Sequence, residues 1–101
     1  MKKKSVLVDD MEHCVVTGSS KVEIHHVFNG PCRKLSEKYH FVIPLRPDWH
    51  NMQPYSIHMD QKFDESWKRY AQAYYEEHIG TREDFRREFG KAYLSPVVRF
   101  Q

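Results

Sequence analysis

Helical spacing of apolar residues is confined to the second half of the chain. From Asp60 to His78, Phe63, Trp67, Tyr70, Ala71 and Tyr74 fall at i, i+4, i+7, i+8 and i+11, one face of a helix. Lys68, Arg69, Tyr75, Glu76 and Glu77 lie off that stripe, and Gly80 supplies a stop. Thr81-Arg82-Glu83-Asp84 is a capping box with Asp in place of Glu. It opens a second helix, in which Phe85, Phe89 and Tyr93 are spaced by four, and which Pro96 ends. Val97 to Gln101 is either a frayed tail or a short packed strand.

The first half is patterned for strands. Lys21 to Phe28 is apolar and β-branched, and alternation puts Ile24 and His26 on one face, Glu23 and His25 on the other. Asn29-Gly30-Pro31 breaks the strand. Residues 32–40 are polar and basic, a loop or a short helical turn. Phe41 to Leu45 is a second strand, with Pro44 placing it at an edge or at its own end. The connection suits an antiparallel pair. Asp48 is the expected N-cap of a helix whose first turn or two run from Trp49 to Gln53, with Pro54 limiting it. An irregular connection then carries His58. The expectation is a small α+β domain: an arm over 1–12, a ribbon-and-helix core over 13–59, and a helical pair over 60–95.

Composition narrows this only slightly. A chain of 101 residues is one domain by size, and its 14% aromatic content means that a few large side chains carry the core. The net charge of +2 supports no polyanion partner by itself. Lys2-Lys3-Lys4 is a solvated tail or a phosphate-contacting arm. No apolar run approaches the ~20 residues that span a bilayer. Asp9-Asp10 follows Val6-Leu7-Val8 too soon for a signal peptide, so no membrane partner is expected. Cys14 and Cys32 are expected as free thiols in a reducing cytoplasm.

The histidines change the picture. His25-His26 sits in the first strand, and His50 and His58 follow the second. A divalent cation can stabilise charge on a scissile phosphate, while a neutral imidazole takes a proton from the attacking water. A ββα unit can supply both, with a ligand and the base on the first strand and another ligand on the following helix. The plainer alternative is a strand with one buried, hydrogen-bonded histidine and one exposed. His13, His40 and His78 are expected at the surface.

Glu23-Ile24-His25-His26-Val27-Phe28, Gly30, Arg33, Ser36, Val42 to Leu45, His50-Asn51 and His58 together resemble the HNH endonucleases, in particular short phage-type members. Ala71-Gln72, Glu76 to His78, Gly80 to Phe85 and Phe89 to Leu94 resemble the tail of those proteins, so the likeness covers roughly residues 12–95. It implies a ββα-metal core with a two-stranded antiparallel ribbon and two C-terminal helices. It implies His26 as general base, His25 and His50 as ligands of one divalent ion (Mg, Mn, Ni or Zn), and Asn51 holding the loop or the phosphate. His58 is a further ligand or a phosphate contact, and Arg33, Lys34 and Lys38 are nucleic-acid contacts. The activity implied is hydrolysis of DNA phosphodiesters by an endonuclease or nickase, phage-encoded and acting in the cytoplasm of an infected bacterium. The alternative is a catalytically silent relative that binds a host protein, such as an inhibitor of a host defence nuclease. A structural or recombination accessory protein is a third reading.

Two departures matter. Many such proteins hold a structural zinc with two Cys-x-x-Cys pairs, and here those positions are Cys14, Thr17, Arg46 and Trp49. One sulfur cannot hold tetrahedral zinc, so no structural zinc is expected, and Trp49 packed on Val15 or Val16 is the expected substitute. Alternation also sends His25 and His26 to opposite sides, so one site can use both only if the strand bends or twists.

Overall fold

The computed structural model describes residues 3–94. Two strands, β1 (Glu23–His26) and β2 (Val42–Leu45), pair antiparallel with Glu23 opposite Leu45 and His26 opposite Val42. Between them a 3-10 turn (Gly30–Cys32) leads into α1 (Arg33–Tyr39). After β2 come α2 (Pro47–His50), α3 (Gln61–His78) and α4 (Arg82–Phe89). The architecture is mixed α/β, a two-stranded antiparallel sheet with several helices. No helix among the described residues is long and apolar enough to cross a membrane. Lys2, Pro96 and the stretch from Val97 to Gln101 lie outside the described residues.

Of the loop or short helical turn expected over residues 32–40, the structure has the helix, Arg33–Tyr39. Leu35 and Tyr39, four apart, pack against the core, and the Phe41 N–H bonds the Ser36 carbonyl to close the helix end. His40 takes the left-handed conformation this requires, at φ 60°. Ser36 has no exposed surface, and its hydroxyl accepts from the Phe28 N–H and donates to the Phe28 carbonyl, each at 2.9 Å. It thus satisfies both backbone groups of a residue just past β1, where no third strand is available.

The core is aromatic, as the composition suggested. Phe28, Phe41, Tyr75, Phe85 and Phe89 are all buried, with Phe85 and Phe89 stacked at 4.3 Å and Phe28 4.5 Å from Phe89. Tyr39 and Tyr75 both donate their hydroxyls to the Glu88 carboxylate, at 2.7 and 2.5 Å, which joins α1, α3 and α4 at one point. The stripe on α3 is therefore rotated from the expected one. Tyr70 is 55% exposed and Tyr75 only 2%. Four residues' spacing fits Ala71 and Tyr75 as well as it fits Tyr70 and Tyr74, and the Glu88 carboxylate on α4 decides between those edges.

Caps explain the element ends. Asp60 accepts from the N–H groups of Lys62 and Phe63, and Thr81 with Asp84 forms the expected capping box. Two expectations are corrected. Helix α4 stops at Phe89, because Gly90 at φ 88° caps it. Tyr93 lies past the helix, its N–H bonded to Gln72 Oε1 at 2.7 Å. In α2 the N-cap is Arg46, with Pro47 in the first turn, and the helix is only four residues long. Asp48 instead accepts from the Arg46 guanidinium at 2.6 and 3.0 Å and from the Tyr55 hydroxyl at 2.8 Å. Arg46 first, then Tyr55, holds its carboxyl well below the usual carboxylate range.

Three of the four positions where the resemblance would put zinc cysteines meet at one sulfur. Cys14 is buried, and burial works to raise its pKa. Hydrogen bonds from the Thr17 side chain and from the backbone of Arg46, Thr17 and Val16 outweigh that and lower it. The ring neighbours of Trp49 are Tyr55 at 4.6 Å and Phe63 at 6.0 Å, while Val16 is exposed. Val15 and Trp49 are both partly buried against the core, and the Trp49 ring also meets the loop and α3.

Candidate metal centre

Alternation along β1 points Glu23 and His25 to the same side, where α2 and the loop after it are folded. His25 is 1% exposed. Its ring centroid lies 5.2 Å from that of His50 and 5.0 Å from that of His58, and those two are 4.9 Å apart. One ring nitrogen of each can be chosen so that all lie within 4.8 Å of one another. His50 reaches this triangle from the end of α2. His58 reaches it because the Ile57 N–H bonds the Trp49 carbonyl at 2.8 Å and the Ile57 side chain is buried, which folds the loop back on α2.

The electrostatics suit a cation. Neither ring nitrogen of His25 has a hydrogen-bond partner among the described residues. An unpaired buried polar atom costs about 1–3 kcal/mol, so this is an arrangement that a ligand would relieve. Burial first, then the neighbouring His50 and His58, lowers the His25 pKa to about 3. Burial and His50 also lower that of His58, against the opposing charge of Asp64. Both rings are neutral at pH 7 with lone pairs free, as metal ligation demands. His50 Nδ1 lies 2.7 Å from Glu23 Oε1, so the carboxylate fixes the tautomer and leaves Nε2 as the free donor.

His26 faces the other way. Its Nε2 is 2.5 Å from Glu37 Oε1 on α1, and it is outside the histidine triangle. The pairing of β1 with β2 runs regularly through His26, without the distortion the sequence suggested. The two rings remain close enough for His26 to contribute to the depressed pKa of His25. Asn51 is exposed, with its amide 3.2 Å from His50 Nδ1. Arg33, Lys34 and Lys38 are exposed on α1, and Lys38 lies 3.9 Å from Glu88. His13, His40 and His78 are exposed, as expected. Beside His58 a cleft of about 280 Å³ is lined by Asn29, Gln61, Asp64 and Lys68.

Sequence reasoning did not assign roles to Glu23 or Glu37. Glu23 was within reach, since it lies two residues before His25 on the same face. Glu37 carried no signal, because its partner lies across a helix and a strand.

The depressed pKa values make the metal-free protein acid-labile. The unfolded chain takes up a proton on His25 near pH 6.5, while the folded state resists until about pH 3. Stability is therefore complete above pH 6.5 and falls as the pH drops through that window. The loss reaches a few kcal/mol, on the order of 1.4 kcal/mol for each pH unit. Thermal midpoints of EDTA-treated protein between pH 7.5 and about 5.5 test this, in a range above the titration of ordinary carboxylates. A flat profile there would contradict it.

No protein family, curated protein or solved structure matches this chain.

Proposed function

We propose that the protein is a metal-dependent phosphodiesterase of the HNH kind that cleaves or nicks DNA, built on a ββα-metal core. The observation that carries this reading is the convergence of His25, His50 and His58, with the buried nitrogens of His25 unpaired among the described residues. The chain order of a β-pair followed by a short helix bearing His50 supports it.

His25, His50 and His58 would hold the ion, and three protein ligands would leave it open to water or substrate. The ion would polarise the phosphate and stabilise the leaving oxygen, and His26, next to the ligand His25 in sequence and turned toward α1, would be the general base. Asn51 holds the loop or the phosphate, and Arg33, Lys34 and Lys38 hold the DNA backbone without reading sequence. An all-nitrogen donor set favours Zn or Ni over Mg, a hard ion that prefers oxygen ligands, with Mn between. In a phage-infected bacterium such an enzyme would act on DNA in the cytoplasm.

Supercoiled plasmid incubated with the EDTA-stripped protein, then with Zn, Ni, Mn or Mg, tests this. Relaxed or linear product is expected with at least one late metal and none with EDTA. No cleavage with any ion overturns the enzyme reading. If the metals still raise the thermal midpoint in that case, the chain is a metal-holding binding module instead.

A further inference from the structure

A second chain of side chains crosses the other face of β1. His26 Nε2 lies 2.5 Å from Glu37 Oε1, and Lys3 Nζ donates to both Glu37 oxygens at 2.7 Å. Glu37 is next to Ser36, whose hydroxyl is bonded to both backbone groups of Phe28. The helix that carries the carboxylate is thereby pinned to the backbone two residues after His26. His26 is 9% exposed, so its ring has little room to turn. Lys3 first, then His26, lowers the Glu37 carboxyl to about 2, so it is ionised at any working pH. An ionised carboxylate can only accept a hydrogen bond.

We propose that Glu37 is the positioning residue of the base His26, holding its imidazole in the Nε2–H tautomer so that Nδ1 takes the proton. The inference rests on the phosphodiesterase reading. In the hydrolytic step the water oxygen forms a bond to phosphorus. The bond from phosphorus to the leaving oxygen breaks, its electron pair going to that oxygen. The proton lost by the water goes to His26 Nδ1. The imidazolium so formed keeps its Nε2–H on Glu37, whose charge stabilises it. Lys3 holds the carboxylate by both oxygens and fixes its direction.

The test compares wild type, Glu37→Gln and Glu37→Leu, each loaded with zinc, in oligonucleotide cleavage. Nitrogen-15 NMR of the imidazoles at pH 8 is measured alongside. Wild type is expected to show His26 protonated at Nε2. Glu37→Leu is expected to lose that preference and to lower kcat by about tenfold or more, with KM within about twofold. Glu37→Gln keeps an acceptor of the same shape without the charge, so it folds alike and falls between. An Nδ1–H tautomer in wild type overturns the inference, and so does unchanged kcat in Glu37→Leu. In both cases an active wild type leaves the phosphodiesterase reading standing. A wild type inactive with every metal removes both.

Discussion

His25→Leu is expected to abolish metal binding while leaving the metal-free fold as stable as wild type or more so. In the wild type an ion at a hundredfold excess over its Kd adds about 2.7 kcal/mol by mass action. For a domain of this size that is a rise in thermal midpoint of roughly 10 °C or more. His25 is the one ligand that is fully buried, and it stands at the apex of a triangle whose other members come from α2 and the loop beyond. Without it, His50 and His58 are two partly solvated imidazoles, a poor chelate. Removing a buried polar residue usually destabilises, because its partner is left orphaned. Here no partner among the described residues exists to be orphaned, and both ring nitrogens already stand unsatisfied. An apolar side chain of similar size removes that cost and also the acid lability it brings. Calorimetric titration with zinc, and thermal midpoints with and without it, give the answer. A variant that still binds zinc with wild-type affinity would remove His25 from the site. One that unfolds without metal would make His25 structural.

This opposition between function and stability was partly legible in the sequence. Two adjacent histidines in an apolar run stand out, and alternation separates them onto two faces, as found. The spacing from His25 to His50 and His58 could suggest a cluster but not close it. Closure depends on the backbone bond from the Ile57 N–H to the Trp49 carbonyl and on burial of the Ile57 side chain, which no local pattern encodes. Helix α3 shows the same limit. Periodicity locates an apolar face broadly, and Phe63, Trp67, Ala71 and Tyr74 do lie toward the core. It does not say which edge of that face is buried deepest. Tyr75 outranks Tyr70 because Glu88, thirteen residues on, offers its hydroxyl an acceptor. Where a signal is local and chemical it was read correctly, as in the Thr81–Asp84 box. Gly90 was equally local, but the aromatic spacing from Phe85 through Tyr93 masked it. Ser36 and Glu37 had no readable role, since both act on residues brought near only by the return of the chain.

His26→Ala separates the metal from the chemistry. The expected result is a fall in kcat of about 10²–10⁴, the usual contribution of a general base. Zinc affinity and the thermal midpoint of the loaded protein should change little. The reasoning is geometric. His26 lies outside the donor triangle and points to α1, so removing it leaves His25, His50 and His58 in place. Its charge is one of the smaller contributions to the low pKa of His25, after burial, His50 and His58, so its loss lets that pKa rise only slightly and the ligand stays neutral at pH 7. The carboxylate it leaves behind is not stranded, because Glu37 is 43% exposed in its side chain and still bonded by Lys3. A drop in kcat with metal binding intact therefore identifies a base acting on a metal-bound substrate. Loss of zinc affinity together with activity would place His26 in the metal centre, against the observed geometry. Full activity would mean that the water is deprotonated elsewhere, and the regular pairing of β1 through His26 would then explain why this imidazole never reaches the reacting phosphate.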